Sequence, residues 1–265
     1  MAKKNIRYAG EHQAALGKLL RDIARHRRLW EVFADFVALC ALAISNSADL
    51  RQFREREAEY MHRIKPYSPA DLSKFAEGLA LVRLALANEY SDFLGSLYMF
   101  LELGNSWRGQ VFTPYSVCKV MASLTMPVGE LRETIDRAGH VTVLDPAVGG
   151  GAMLIATAEH FAEAGFEVSR TMHATAVDVD LVAVHMCYVQ LSLLGVPATV
   201  VHGNSLTLEQ HSVWYTPAHV FCGWTDKLTR KQQRGNDSAQ ASAPKDAHTF
   251  AWPVVARKSG LRAKV

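Results

Sequence analysis

The 265-residue sequence lacks paired cysteines and any apolar run long enough to cross a membrane. Its four cysteines are far apart and form no C-x-x-C pair, which argues against a zinc ribbon or a disulfide framework. The longest early apolar stretch, FVALCALAI at 36–44, has nine residues, whereas a membrane-spanning helix needs about 20. The basic N-terminus has no apolar segment behind it, so we expect no signal peptide. Together these absences predict a cytoplasmic protein without a membrane partner.

The overall composition is that of a globular protein, with 49% apolar and 21% charged residues. A chain of this length can bury a sizeable core without disulfides. The formal net charge of +3 is compatible with a polyanionic partner such as nucleic acid, but it does not require one. The sequence has no internal repeat.

The first hundred residues contain no glycine-rich or strand-like segment, and we expect them to be helical. Apolar residues recur at helical spacing over 11–45, and a highly charged helix is predicted over roughly 47–63. The prolines of KPYSP, 65–69, end that helix, because the residue before a proline is disfavoured in helical geometry. Asp71 is a candidate cap for a third helix, and a fourth is predicted over 89–103.

The pattern changes after residue 104, where a short helix over 116–125 and a loop precede an alternation of strands and helices. Such an alternation within about 60 residues is typical of a parallel α/β sheet. The predicted elements are a strand at 141–145, a helix at 151–164, a strand at 173–178, a helix at 180–194 and a strand at 198–202. The segment AHVFCGW, 218–224, is expected to be a fourth strand.

These patterns predict three segments. An N-terminal helical region covers 1–103, an α/β domain covers 104–228, and a polar tail covers 229–265. The tail is poor in large apolar residues and rich in Ser, Ala, Gln and Lys, a composition that predicts disorder.

The segment DPAVGGGAM, 145–153, places three glycines between a predicted strand and a predicted helix. Such a turn lets a ligand approach the backbone, and it lies where parallel sheets bind ligands. The dinucleotide fingerprint G-x-G-x-x-G fails here, because Leu154 occupies the place of the third glycine. Asp145 would also repel a pyrophosphate, whereas a carboxylate suits a cationic amine. The loop therefore favours S-adenosylmethionine, with Asp145 on its ammonium group.

Two more polar residues follow the next predicted strands. Asp178 ends the second strand and can accept both ribose hydroxyls, with Asp180 as a competitor for that role. The alternative is that these acids cap the following helix. Asn204 can bind the adenine amino group through its amide oxygen, or it can simply be the turn residue of HGNS.

Four segments, taken in order, resemble the N-6 adenine DNA methylase family, and above all the modification subunit of type I restriction systems. The resemblance covers 104–208. It rests on GQVFTP (109–114), DPAVGGGAML (145–154), AVDVDLVAVHMCYVQLSLLG (176–195) and HGNSL (202–206). It implies an S-adenosylmethionine-dependent methyltransferase fold, which is a Rossmann-like, doubly wound α/β sheet. It also implies DNA as a partner, a restriction-modification partner subunit and no metal.

The resemblance also implies which residues hold the cofactor. It brings the FTP triplet near the methionyl end of the ligand, with core packing as the alternative for Phe112. The candidate cofactor residues are Phe112, Thr113, Pro114, Asp145, Pro146, Gly149, Gly151, Asp178 and Asn204.

The sequence departs from the family at its fourth segment, Asn-Pro-Pro-Phe or a variant of it. In the family a side-chain Asn or Asp and a backbone carbonyl bind the adenine amino group, and the aromatic residue stacks on the flipped base. This chain contains no Pro-Pro pair, and CGWT stands at the expected place, 222–225. Trp224 is the candidate for base stacking, with packing against the sheet edge as the alternative. We also expect the sheet to be truncated at its C-terminal end.

Two functions remain open from the sequence. The protein is an adenine-N6 DNA methyltransferase that acts alone or with a partner subunit, by direct in-line attack on the methyl group. Alternatively, it is a catalytically silent modulator of a restriction-modification system that binds the cofactor or DNA. The arginines between 21 and 28 form either a solvated helix face or phosphate contacts.

Overall fold

The structure is a computed structural model that describes residues 10–103 and 113–230. The chain up to Lys227 forms one compact unit, and the residues from Leu228 onward form a second. Phe112 and nearly all of the polar tail lie outside the described residues, so the disorder of 229–265 stays a prediction.

Residues 10–103 are mostly helical, as their periodicity predicts, but the long predicted helix over 11–45 is interrupted. A short 3-10 turn at Ala24–His26 divides it in two. The helices of this region are α1 (Gly10–Ile23), α2 (Leu29–Ala48), α3 (Phe53–Ile64), α4 (Pro69–Asn88) and α5 (Phe93–Phe100). Helix α4 begins earlier than predicted because Ser68, rather than Asp71, is its N-cap residue. The Ser68 Oγ accepts a bond from the Asp71 N–H, and the Asp71 carboxylate accepts one from the Ser68 N–H, which forms a capping box.

The second part of the chain alternates strands and helices. The first three strands and the two helices predicted between them begin and end within two residues of their predicted positions, and a short additional helix, Val168–Thr171, precedes the second strand. Helix α7 lies where a loop was predicted. The elements are α6 (Tyr115–Thr125), α7 (Val128–Ala138), β1 (Val141–Asp145), α8 (Ala152–Glu163), α9 (Val168–Thr171), β2 (Met172–Asp178), α10 (Leu181–Leu193), β3 (Ala198–Asn204), β4 (Glu209–Tyr215) and α11 (Pro217–Phe221).

The strands form one mixed sheet in the order β1-β2-β3-β4. β1 is parallel to β2, and β2 is parallel to β3, with Asp145 opposite Ala176 and Asp178 opposite His202. The α/β fold class is therefore confirmed. Among the described residues β1 has a strand neighbour on one side only. A doubly wound sheet continues on both sides of its first strand, so the described sheet is one half of that arrangement.

The predicted fourth strand at 218–224 is wrong. The fourth strand is β4, which pairs antiparallel with β3. Thr216 then caps α11 by accepting a bond from the His219 N–H, and Pro217 occupies the first turn of that helix. A Thr-Pro pair is a helix-start signal, and here it outweighs the strand preference of the valine and phenylalanine that follow.

One hydrophobic core joins the N-terminal helices to the sheet. It includes Phe33 and Val37 of α2, Leu94 of α5, Tyr188 of α10 and Val200 of β3. By length and composition the 20-residue helix α2 could cross a membrane. Phe33 and Val37 are completely buried, however, so packing inside the protein accounts for its apolar character. The continuous apolar run in the sequence, nine residues at 36–44, is shorter than the 20-residue helix that contains it.

The outer edge of β4 is covered by α3. Arg56 donates to the Val213 carbonyl at 2.7 Å, and Gln52 donates to the same carbonyl at 3.2 Å. The Arg56 guanidinium lies 4.0 Å from the centre of the Trp214 ring. Burial lowers the pKa of Arg56, and nearby Asp49 opposes that shift. Edge strands invite unwanted pairing, and these contacts protect β4 from it.

Candidate functional site

The glycine loop, residues 146–151, connects β1 to α8. Gly149 and Gly151 have φ angles of 55° and 100°, which side chains other than glycine rarely adopt. The Val148 N–H donates to the Val177 carbonyl at 3.0 Å, and the Gly149 N–H donates to the Asp178 Oδ2 at 2.8 Å. The loop is thus tied to the carboxyl end of β2 as well as to that of β1.

Asp178 and Asp180 have different partners. Asp180 is the N-cap of α10 and accepts a bond from the Val182 N–H at 2.9 Å. Asp178 accepts from the Gly149 N–H through one carboxylate oxygen, and from the Asp180 N–H at 2.9 Å through the other. Each carboxylate oxygen has two acceptor positions, so each keeps capacity for one further donor. Asp180 therefore takes the capping role, and Asp178 faces the loop.

Asp145 ends β1 beside the loop. Its Oδ1 accepts a bond from the Ala147 N–H at 3.1 Å, and its side chain is half-buried. Burial raises the pKa of Asp145, the Ala147 amide opposes that rise, and the charge of Asp178 adds to it. A half-buried carboxylate with a second acid nearby suits a cationic ligand. Pro146, the next residue, is exposed.

Asn204 ends β3 in the tight turn that leads to β4. Its Oδ1 accepts bonds from the Leu206 N–H at 2.9 Å and from the Thr207 N–H at 3.2 Å. These bonds fill both acceptor positions of the amide oxygen. The geometry favours the turn role for Asn204 over the expected bond from its oxygen to an adenine amino group. Gly203 is needed here because a Cβ would collide with the Glu209 carbonyl of β4.

The FTP segment is described only from Thr113. Thr113 and Pro114 are exposed, and Pro114 is the N-cap residue of α6. Helix α6 is tied to α8, since both the Tyr115 hydroxyl (2.8 Å) and the Lys119 ammonium (2.9 Å) donate to Glu159. The segment is therefore connected to the helix that follows the glycine loop. The outer face of α6 exposes four large apolar side chains: Val117, Val120, Met121 and Leu124.

Two buried polar residues behind the loop were missed by sequence reasoning. Gln190 of α10 donates to the Gly150 carbonyl at 2.8 Å and to the Asp92 Oδ1 at 2.9 Å. Asp92 is the N-cap of α5. Two signals were available in the sequence, namely an acid just before the apolar segment FLG and a glutamine inside the mainly apolar helix α10.

Acidic side chains surround the glycine loop. Asp92 lies behind Gly150, Asp145 precedes the loop, and Asp178 binds it from β2. Burial raises the pKa of Asp92, while its hydrogen bonds from Gln190 and Gly95 oppose the rise. The carboxylates of Asp145 and Asp178, which end β1 and β2 beside the loop, are therefore the ones that favour a ligand with positive charge.

Trp224 does not offer a face to a base, which contradicts the stacking role considered for it. Its side chain is completely buried, and its Nε1 donates to the Ser169 carbonyl at 2.9 Å. Its ring centre lies 5.2 Å from that of His140 and 5.2 Å from that of His173. The packing alternative is therefore the correct one, and Trp224 joins the end of the chain's compact unit to the sheet.

Within the ranges 10–103 and 113–230, no group of three or more His, Cys, Asp or Glu residues is arranged to hold a metal ion. All four cysteines are free thiols. Cys187 lies under the glycine loop, and its Sγ is 3.2 Å from where a Cβ on Gly151 would stand. Burial raises the pKa of the Cys187 thiol, so it is a poor nucleophile.

The sequence was compared with known proteins. The sequence profile of the N-6 DNA methylase family matches residues 89–258, which is more than half of the chain. A solved structure from Listeria monocytogenes, described as a class I S-adenosylmethionine-dependent methyltransferase, is 20% identical with a TM-score of 0.40. That match covers 75% of this chain and 55% of the other, so this chain spans about half the length of that protein. The comparison with curated proteins gave no match.

Proposed function

Because the chain belongs to the N-6 DNA methylase family, whose cofactor is S-adenosylmethionine, we propose that this cofactor binds across the carboxyl ends of β1 and β2. One observation carries the proposal: the Gly149 N–H donates to the Asp178 carboxylate at 2.8 Å. That bond joins the glycine loop and the second acid, which are 29 positions apart in the sequence, into one site.

The residues at this site fit the cofactor. Gly149 and Gly151 allow the loop its positive φ angles, and the absence of a Cβ at Gly151 lets the loop pack closely on Cys187. Asp145 has a half-buried carboxylate for the ammonium group, and Asp178 retains acceptor capacity for the ribose hydroxyls. When bound, S-adenosylmethionine supplies an electrophilic methyl group on a positively charged sulfur. The acids around the loop match the charge of that ligand.

We propose DNA as the macromolecule on which the protein acts, and adenine N6 as the atom that would accept the methyl group. Membership of the family supports this choice. Arg25 and Arg28 are exposed together where α1 meets α2, a placement that suits contacts to phosphates, whereas the Arg27 guanidinium binds the Pro66 carbonyl and lies over the Tyr67 ring. The net charge of +3 has the sign that DNA binding requires.

We propose that methyl transfer depends on a partner subunit of a restriction-modification system. The sequence contains no Pro-Pro pair and Trp224 is buried, so neither the family's fourth motif nor this tryptophan is available to hold the base. The exposed face of β1 and the outer face of α6 are suitable contact surfaces, because Leu144 of β1 and Leu124 of α6 are 57% and 74% exposed.

The absence of a Pro-Pro pair and the burial of Trp224 also favour a second candidate function. A chain that binds S-adenosylmethionine and DNA, but has no residues that hold the base, would act as a catalytically silent modulator of such a system. It would compete for DNA or report the level of cofactor.

Calorimetric titration with S-adenosylmethionine tests what the two functions share. We expect saturable binding that is lost in Asp145→Ala. No binding at millimolar cofactor would refute the methyltransferase and the cofactor-binding modulator, and would leave only a modulator that binds DNA. A radiolabelled methyl-transfer assay on mixed-sequence DNA then separates them. Incorporation that Asp145→Ala abolishes supports the methyltransferase, whereas cofactor and DNA binding without incorporation, even with candidate partner subunits added, supports the silent modulator.

A further inference from the structure

Behind the glycine loop lies a buried hydrogen-bond network that is centred on Gln190. The Gln190 side chain is completely buried in α10. Its Oε1 accepts a bond from the Leu94 N–H at 2.9 Å, and its Nε2 donates to both the Asp92 Oδ1 and the Gly150 carbonyl. One amide thus connects the start of α5 to the backbone of the loop.

Asp92 completes this network. Its Oδ1 accepts a bond from the Gly95 N–H at 3.0 Å, which caps α5. A Cβ on Gly150 would stand 3.2 Å from that same oxygen and 3.5 Å from the Gly95 Cα. The loop therefore rests directly on the first turn of α5. Gln13 extends the connection to α1 by donating to the Phe93 carbonyl at 2.9 Å.

We propose that Asp92 and Gln190 are positioning residues that hold the glycine loop in its cofactor-binding shape. Gln190 binds the loop through the Gly150 carbonyl, and Asp178 binds it through the Gly149 N–H. Held between these two contacts, the loop keeps the positive φ angles of Gly149 and Gly151. This inference rests on the proposed binding of S-adenosylmethionine, and it gives the N-terminal helices a role in that site.

The network acts through the backbone of the loop and does not need to touch the ligand. Without Gln190 the buried Gly150 carbonyl and Leu94 N–H would each lose a partner, and a buried polar group without a partner favours a rearranged loop. A rearranged loop would bind the cofactor less tightly, because part of the binding free energy would go into restoring its shape.

Two substitutions test this from opposite sides of the contact. Gln190→Met keeps nearly the same side-chain volume but removes all three hydrogen bonds. Gly150→Ala leaves Gln190 intact and pushes the loop away from Asp92 and Gly95. For both variants of the full chain we expect faster amide hydrogen exchange over residues 147–154 and at least about tenfold weaker binding of S-adenosylmethionine.

Thr216→Val is the matched control. Thr216 is completely buried, and its Oγ1 makes 2.8 Å bonds with the Ala198 N–H and the Val196 carbonyl at the far end of β3. Loss of these two hydrogen bonds should lower the melting temperature without changing amide hydrogen exchange in the glycine loop or the affinity for S-adenosylmethionine. A loss of affinity in this variant equal to that in Gln190→Met would show that general destabilisation is the cause, and would overturn the inference.

The inference would also be overturned if Gln190→Met folds and shows wild-type amide exchange in the glycine loop and wild-type affinity for S-adenosylmethionine. If Gln190→Met does not fold, Gly150→Ala decides by the same two measurements. If the wild-type chain does not bind S-adenosylmethionine, the proposed function fails, but hydrogen exchange still decides whether Gln190 holds the loop, because that measurement needs no cofactor.

Discussion

At the scale of single residues, two acids that stand two positions apart serve different purposes. Asp180 stabilises the start of α10, whereas Asp178 binds the glycine loop. The sequence left this choice open, because either acid could cap a helix that begins at residue 181. Only the position of Gly149, which comes from another part of the chain, distinguishes them.

Replacement of Asp178 should therefore affect the cofactor more than the fold. In Asp178→Ala we expect S-adenosylmethionine to bind at least about tenfold more weakly, because a charged acceptor for the loop and the ribose is lost. Calorimetric titration measures this. Asp180→Ala is the control: it removes a cap and should lower the free energy of unfolding by about 1 kcal/mol while affinity is retained. Equal losses of affinity in both variants would contradict the assignment of roles.

Two glycines should respond in opposite ways to replacement by alanine. Gly151 has a φ of 100°, and an added Cβ would stand 3.2 Å from the Cys187 Sγ, so Gly151→Ala should destabilise the protein by about 1–3 kcal/mol. Gly129 lies in α7 with no atom within 4 Å of the added Cβ, so Gly129→Ala should stabilise by about 0.4–1 kcal/mol. Urea denaturation of both variants checks the signs, and a stable Gly151→Ala would be unexpected.

At the scale of elements, α4 depends on its capping box. Ser68→Ala should lower the free energy of unfolding by about 1 kcal/mol, since the Asp71 N–H loses its side-chain acceptor. Thermal melting followed by circular dichroism measures the change. Ser73→Ala is the control within the same helix: its hydroxyl bonds only the Pro69 carbonyl one turn back, and its removal should change stability little. A larger effect at Ser73 would contradict the capping assignment.

The elements that could be predicted are those whose pattern is local. β1, β2 and β3 are short β-branched or apolar runs that alternate with long apolar helices. Helix α7 was missed because it buries one side chain only, that of Leu131, so its apolar stripe is narrow. Strand β4 was missed because its first four residues, EQHS, are polar, and its position depends on pairing with β3.

At the scale of the whole molecule, stability should depend on pH through buried histidines. The His173 Nε2 lies 2.9 Å from the His219 Nδ1, and the His219 Nε2 lies 3.0 Å from the Thr225 Oγ1. Burial lowers the pKa of His173 to about 3 and that of His219 to about 4. The folded state therefore binds fewer protons than the unfolded chain once the pH falls below about 6.5.

The stability contributed by these neutral histidines is fully present above pH 6.5 and is lost as the pH falls toward 4. We expect the free energy of unfolding to decrease over this range by up to about 1.4 kcal/mol per pH unit for each histidine. Urea denaturation at pH 7, 6 and 5 measures the slope. His173→Gln should reduce it, whereas His26→Gln, at an exposed position, should not. An unchanged slope in His173→Gln would show that the pair is not responsible.

The sequence by itself determined the alternation of strands and helices from residue 141 to residue 204 and the acid-glycine character of the loop. These are local properties, set by periodicity and by the conformational freedom of glycine. The tertiary structure decided which acid faces the loop, that Trp224 is buried, and that Asp92 and Gln190 lie behind Gly150. Those outcomes depend on contacts between residues 29 to 98 positions apart, which no local pattern encodes.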